Sequence, residues 1–416
     1  MKHVVIVGGG FAGLNAAKQL GESSDIRVTL IDRQNYHLFQ PLLYQVAMAG
    51  LSPADIAAPI RSVLASQSNT SVLQGTVQGV DLEANKISTD FGVLEFDYLM
   101  LCCGAVPTYF GHPEWESFAP SLKTIPQATE IRRRVLKSYE LDERTTDADE
   151  RRRLLTFVVI GGGPTGVELA GAIGEMSRYC LAKDFRNIDA GLSRIILVEA
   201  GPRILPSFGE PQASRAARDL EKLGVQIWPS SMVTQIDKSG LHVGTEHIHA
   251  ATVLWAAGVK AVSLPGEWET DKRDRIVVDQ TLSIPGHPHV FVAGDQAGYT
   301  TEDGSALPGT APVAVQQGRH VADAILSDIA GKPRRDFRFV DKGQMATIGR
   351  NRAVLEIGKI RFAGRLAWLT WLAVHIYFLT GFKNRLFVVL SWAWSYMTFR
   401  RGARLIVDAS SESQSD

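Results

Sequence analysis

The sequence predicts an α/β protein: two Rossmann-like dinucleotide-binding domains, followed by a C-terminal helical segment that associates with a membrane. Three observations predict it. They are the pattern Gly8-x-Gly10-x-x-Gly13 after KHVVIV, its repeat Gly161-x-Gly163-x-x-Gly166 after LTFVVI, and an aromatic, basic stretch from residue 359. Each glycine pattern follows a Val/Ile-rich run and opens a run with helical spacing, which reads as a strand, a tight turn and a helix facing the turn. Such a turn lets backbone approach a pyrophosphate, and the helix end offers N–H groups and partial positive charge. One pattern alone says little. Two in one chain imply two dinucleotides held at once, an arrangement suited to passing electrons between them.

At 416 residues the chain has room for two or three domains and a sizeable core. Its 44 basic and 44 acidic residues balance, so no global charge points to nucleic acid. Cys102, Cys103 and Cys180 form neither a C-x-x-C pair nor a zinc spacing, so no metal centre is expected. Cys102 and Cys103, inside YLMLCCGA, read as small core residues. A reducing compartment is expected, with no secretory signal, because a strand runs from His3 into the first glycine turn. The terminal ASSESQSD reads as a solvated, disordered tail.

In chain order, residues 1–32 form a strand–helix–strand unit closed by RVTLIDR, and 155–199 form a second closed by RIILVEA. Between them, PQATEIRRRVLKSYELDERTTDADERRR reads as a solvated helix with a loop. Three apolar strands end in glycine at 98–105, 252–259 and 289–295, at Gly104, Gly258 and Gly294. A helix is predicted from Thr310, its cap, to Gly331, with Pro312 in the first turn and Pro333 beyond the stop. Strands follow over 337–358. The expected domains are 1–115 and 281–340 for the first nucleotide, 116–280 inserted for the second, and 341–416 for membrane association.

Asp32 ends the second strand about 20 residues past Gly13, where a carboxylate accepts from the ribose hydroxyls of an adenosine. Asp295, after Gly294 in VFVAGD, can bond a polyol such as a ribityl chain. An N-terminal glycine turn with a distant Gly-Asp resembles the two-dinucleotide flavoproteins. That resemblance implies FAD on Gly8, Gly10, Gly13, Asp32, Gly104, Gly294 and Asp295. The helix near Thr310 would then aim its positive end at the flavin. Glu199 closes the second unit, farther from Gly166 than the usual ~20 residues, as a long helix and the loop RYCLAKDFRNIDAGLS would require. A carboxylate there repels a 2′-phosphate, which favours NADH on Gly161, Gly163, Gly166, Glu199 and Gly258; nearby Arg203 softens that preference. Glu168, in the first helical turn, either complements the helix dipole or faces the nicotinamide.

With these motifs in place, the chain resembles the type II NADH dehydrogenases, single-subunit NADH:quinone oxidoreductases of respiratory membranes. The resemblance runs from residue 3 to 405 and rests on YHLFQPLLYQVA (36–47), GGGPTGVELAG (161–171), LVEAGPRILP (197–206), VAGD (292–295), APVAVQQG (311–318) and HIYFLTGFKNRL (375–386). It implies a reaction that passes a hydride from NADH to FAD and two electrons on to a membrane quinone, without proton pumping. It implies Glu168 beside the nicotinamide, Gln316 and neighbouring Gln317 at the quinone, Lys383 lining the quinone pocket, and a homodimer. Gln316 matches the second glutamine of the family's A-Q-x-A-x-Q motif; Pro312 replaces the first. Disulfide reductases carry C-x-x-x-x-C just after the first unit, and NYHLFQPLLYQV has no cysteine.

Residues 359–404 carry Lys359, Arg361, Arg365, Lys383, Arg385, Arg400, Arg401 and Arg404, no acidic residue and four tryptophans. Its apolar runs, 366–382 and 386–399, fall short of the ~20 residues a spanning helix needs. They read as two helices lying in the membrane face, with cations against anionic lipid. The basic flanks place the protein peripherally, as a monotopic protein on the cytoplasmic face. A buried helical subdomain or dimer interface is the alternative, and with it a reductase of a soluble electron carrier. A flavoprotein sensor is a third reading.

Overall fold

A computed structural model describes residues 1–182, 184–398 and 401–407; Lys183, Phe399, Arg400 and residues 408–416, which include the ASSESQSD tail, lie outside them. The elements used below are β1 (Lys2–Val7), α1 (Phe11–Leu20), β2 (Ile26–Asp32), β3 (Thr70–Gln74), β4 (Tyr98–Leu101), α2 (Ile125–Arg144), β5 (Thr156–Ile160), α3 (Pro164–Glu175), β6 (Arg194–Val198), β7 (Val225–Trp228), β8 (Thr252–Trp255), β9 (His287–Val292), α4 (Ala311–Ile329), β10 (Gln344–Gly349), α5 (Arg365–Phe378) and α6 (Phe382–Thr398).

The chain forms two compact units. The first holds Met1–Leu38, Ala57–Pro107 and Val259–Val340; the second holds Phe39–Ile56, Thr108–Gly258 and the chain from Asp341 onward. Expectation drew the crossings at 115/116 and 280/281, whereas the contacts place them at Pro107/Thr108 and Gly258/Val259. The cause is a local pairing: Ala105–Pro107 runs antiparallel to Val259–Ala261 inside the first unit. Phe39–Ile56 joins the second unit because its short helix, Leu43–Ala47, packs on α2 and α3.

In the first unit β1 lies between β2 and β4, β3 pairs outside β2, and β9 pairs outside β4, all parallel. Both faces are covered, so β1 past Lys2 and His3 reads as an unbroken apolar run, Val4–Val7, whose Val4, Val5 and Ile6 are fully buried. α1 and α4 pack closely enough that a Cβ on Gly318 would come 2.2 Å from the Ala12 carbonyl oxygen. Strand structure was expected from 337, but Phe337 stays irregular. Its N–H donates to the Gln280 carbonyl at 2.7 Å and its carbonyl accepts from Tyr299 Oη at 2.8 Å, so its backbone is already satisfied.

The second unit repeats the plan. β5 lies between β6 and β8, with β7 outside β6, all parallel. The charged stretch before it is not simply solvated. α2 starts at a Thr124–Gln127 capping box and buries Ala128, Ile131, Val135 and Tyr139, a helical stripe hidden among arginines and acids. α3 runs on into a π-helical turn, Met176–Cys180, which accounts for the long interval to Glu199. β10 crosses α3 at Gly171, where a Cβ would meet the Ile348 carbonyl oxygen at 2.0 Å. Among the described residues no helix is long and apolar enough to cross a membrane.

Candidate functional site

The two glycine turns are built alike. Gly8 and Gly161 adopt left-handed backbone, φ +113° and +105°. A Cβ on Gly13 would fall 1.9 Å from the Gly8 carbonyl oxygen, and one on Gly166 1.8 Å from that of Gly161, so only glycine lets each helix start against its turn. Neither α1 nor α3 has a side-chain N-cap, and nothing stands within 4 Å of the Cβ position at Gly10 or Gly163. An uncapped helix N-terminus with an open approach fits a dinucleotide pyrophosphate.

The strand-end acids close these turns. Asp32 Oδ2 accepts from Gly9 N at 2.6 Å and Oδ1 from Gln34 N at 2.7 Å. Glu199 Oε2 accepts from Gly162 N and Oε1 from Gly201 N, both at 2.6 Å. Each carboxylate oxygen keeps a lone pair for a ribose hydroxyl. Burial raises the Asp32 pKa, and the backbone donors oppose it. Arg203 is held by its own loop: its guanidinium donates to the carbonyls of Leu205, Pro206 and Phe208, so it does not extend as a 2′-phosphate ligand.

Two residues of this site escaped the sequence reading. His37, 3% exposed, places Nδ1 3.0 Å from the Gly9 carbonyl oxygen; a carbonyl only accepts, so Nδ1 carries the proton. Burial lowers its pKa and keeps the ring neutral. Gln296, fully buried, accepts from Cys103 N at 2.9 Å and donates to the Val262 carbonyl at 3.0 Å. The signal for His37 was its place in YHLFQPLL. Gln296 had none beyond following Gly294-Asp295.

Gly294 (φ +74°) donates its N–H to Gln317 Oε1 at 2.7 Å, and Asp295 shares with both a cavity of about 50 Å³ that Gly309, Val313 and Arg275 also line. Gly104 (φ +75°) accepts from Val262 N. Gln316 points elsewhere: its amide donates to the Val340 carbonyl and accepts from Val340 N, both at 3.0 Å. The α4 N-terminus has no side-chain bond from Thr310, and Pro312 sits in its first turn. All three cysteines are free thiols; burial pushes Cys103 up to about 12 and raises Cys102 and Cys180.

The second unit encloses a cavity of about 100 Å³. Glu168 and Glu175 from α3, Tyr44 and Gln45 from the Leu43–Ala47 helix, and Trp371 and Trp392 from α5 and α6 face it. Burial pushes Glu168 up to about 8, with only the Thr347 N–H opposing it. The Trp371 indole N–H is buried without a partner among the described residues. Trp392 Nε1 donates to Gln45 Oε1 at 2.7 Å, and Glu175 pairs with Arg350 at 3.3 Å and Arg401 at 3.1 Å. His375 stacks on Trp371 at 4.0 Å, and burial pushes its pKa down to about 4. Lys383 is not in this wall. It is exposed on α6, its Nζ 5.8 Å from the Phe387 ring centre.

Known proteins match this arrangement. The family described as pyridine nucleotide-disulphide oxidoreductase matches residues 2–318. The type II NADH:quinone oxidoreductase Ndh of Mycobacterium tuberculosis is 42% identical over 424 residues, spanning 98% of this chain and 90% of that protein. The type II NADH:quinone oxidoreductase of Staphylococcus haemolyticus is 29% identical over 84% of this chain and 88% of its own length. In fold, the chain superposes on NDH2 from Plasmodium falciparum in complex with NADH with a TM-score of 0.88, at 20% identity, covering 98% of this chain and all of that one. The chain therefore belongs to the pyridine nucleotide-disulphide oxidoreductases and, among them, to the type II NADH:quinone oxidoreductases.

Proposed function

We propose that this chain is an FAD-dependent NADH:quinone oxidoreductase working on a membrane surface without pumping protons. One observation supports it above the rest: the same acid-to-glycine-turn bond occurs twice, Asp32 to Gly9 and Glu199 to Gly162. Two ribose-binding turns in one chain suit one resident and one exchanging dinucleotide. FAD, when bound, supplies the two-electron chemistry between NADH and quinone.

The chain's residues bind, orient and hold protons. Asp32 and the Gly10 turn hold the adenosine diphosphate half of FAD, and Asp295 takes its ribityl hydroxyls. Glu199 accepts from the 2′-hydroxyl of NADH and repels a 2′-phosphate. Glu168 keeps a proton on its carboxyl near neutral pH and can yield it to a reduced quinone. The unpaired Trp371 N–H beside it can donate to a quinone carbonyl. Gln317, which lines the Asp295 cavity, is the glutamine we assign to contact a ring there, while Gln316 must first leave Val340.

α5 and α6 expose Leu366, Leu369, Tyr377, Phe387, Leu390 and Trp394, an apolar face suited to a bilayer surface, with Lys383 and Arg365 towards anionic headgroups. We place that surface on the cytoplasmic side and expect a homodimer. Anaerobic NADH added to the purified yellow holoprotein should bleach its visible absorbance, and a lipid-soluble quinone should restore it. Bleaching without recovery would leave an NADH-reducible flavoprotein with some other acceptor.

A further inference from the structure

Phe110 has no part in the chemistry above, yet its backbone is unusual. A bulky aromatic residue rarely adopts left-handed φ, but Phe110 lies at +50° and is 64% exposed as a residue. Such a conformation persists only where its surroundings enforce it.

Here they do. Thr108 N donates to the Gly258 carbonyl at 3.1 Å, and Trp255 Nε1 donates to the Thr108 carbonyl at 2.9 Å. Tyr109 is buried against Trp255, ring centres 4.9 Å apart, and its Oη donates to the Ala119 carbonyl at 2.8 Å. Phe110 N donates to Thr108 Oγ1 at 3.3 Å, and Gly111 (φ +95°) turns the chain away. The ring is thus displayed on an anchored platform, and it lies against the end of β8. A Cβ on Gly258 would fall 2.7 Å from Phe110 Cζ.

The end of β8 also borders the second glycine turn, since a Cβ on Gly161 would meet the Ala256 carbonyl oxygen at 2.5 Å. Glu199 directly follows β6, and β6 and β8 lie on opposite sides of β5. A dinucleotide whose pyrophosphate sits at the β5 turn and whose adenosine lies towards Glu199 must send its other half past Gly258. We propose that Phe110 is a positioning residue for NADH: its ring packs against the nicotinamide riboside and sets how that half lies. This rests on the reading of Glu199 and the Gly161 turn as the NADH site.

The test uses holoenzyme with saturating quinone. Phe110→Ala should raise the KM for NADH by about five-fold, the worth of one aromatic contact. It should raise the inhibition constant of NAD+ alike, with kcat and the quinone KM within about two-fold of the parent. Phe110→Tyr should restore both constants. Glu199→Ala, measured alongside, separates two failures. If Glu199→Ala raises the KM and Phe110→Ala does not, the ring has no positioning role. If neither does, the underlying NADH site is wrong. An equal loss of kcat in Phe110→Ala and Phe110→Tyr would reduce Phe110 to a structural part and overturn the proposal.

Discussion

At the scale of single residues, Glu168 is the group whose chemistry the fold changes most. The sequence suggests the first helical turn, but α3 starts at Pro164, so Glu168 is its fifth residue and lies in the second turn, beyond the strongest reach of the helix dipole; an exposed carboxylate there would ordinarily stay ionised. Enclosure beside Trp371 and Tyr44 instead holds its proton up to about pH 8. The linkage has a definite sign. Below the ordinary carboxylate pKa, folded and unfolded chains both carry this proton. As pH rises from about 4.5 to about 8, the unfolded chain loses it and the folded chain keeps it, so this group costs stability increasingly over that window. Glu168→Gln should therefore have a melting temperature close to the parent at pH 5 and above it at pH 8, read by thermal scanning. A constant offset across that range would mean the carboxyl titrates normally. Its quinone turnover should also drop, most visibly below pH 8 where the parent carries the proton.

At the scale of elements, a strand, a glycine turn and a helix form one rigid device used twice. Gly166 shows why substitution there is severe: the neighbour within 1.8 Å of an added Cβ is the Gly161 carbonyl, backbone that cannot swing aside. Gly166→Ala should cripple NADH-dependent flavin reduction, by ten-fold or more if the turn shifts by even about 1 Å, while the purified protein keeps its full complement of FAD. Loss of FAD along with NADH activity would show the second unit's collapse rather than a local defect. The sequence announced these devices because glycine, β-branched runs and a terminal acid are local signals. It missed the α2 core stripe because arginines and acids outnumber Ala128, Ile131, Val135 and Tyr139 in that window. It missed His37 because a lone histidine in the short strand Tyr36–Leu38 carries no spacing signal until the Gly9 carbonyl is brought to it.

At the scale of the whole molecule, the C-terminal segment looks strongly cationic in sequence and is less so in space. Glu356, just before the segment, pairs with Arg361, and acids far away in the chain, Glu175 and Asp184, reach Arg401 and Arg404. Arg385 is turned onto the carbonyls of Tyr377 and Leu379. Lys359, Arg365, Lys383 and Arg385 are the exposed cations of the segment with no acidic partner among the described residues, so on the proposed membrane reading attraction leans on the apolar face of α5 and α6 more than on charge. Each exposed cation is worth roughly 1 kcal/mol against an anionic leaflet, and burying a leucine about 1.5–3 kcal/mol. Leu369→Asp with Leu390→Asp should abolish co-flotation with phosphatidylglycerol-containing vesicles, whereas raising salt from 0.05 to 0.5 M should only weaken it for the parent. Release of the parent by salt alone would make charge the main anchor. Solution turnover with a short-chain quinone should survive the double substitution.

The sequence by itself determined the two nucleotide turns, their order, the acids at their strand ends and the greasy terminus, because each is a contiguous pattern whose meaning is local geometry. Only the tertiary structure decided which unit owns Phe39–Ile56, since helix packing rather than chain order gathers it to α2 and α3. It also turned Gln316 onto Val340 and away from its neighbour Gln317's cavity, drew Lys383 out of the cavity wall, and kept Glu168 protonated. Those outcomes depend on what lies across a gap of packed side chains, and burial and partner choice are set by residues outside the local sequence window, such as Val340 for Gln316 and Thr347 for Glu168.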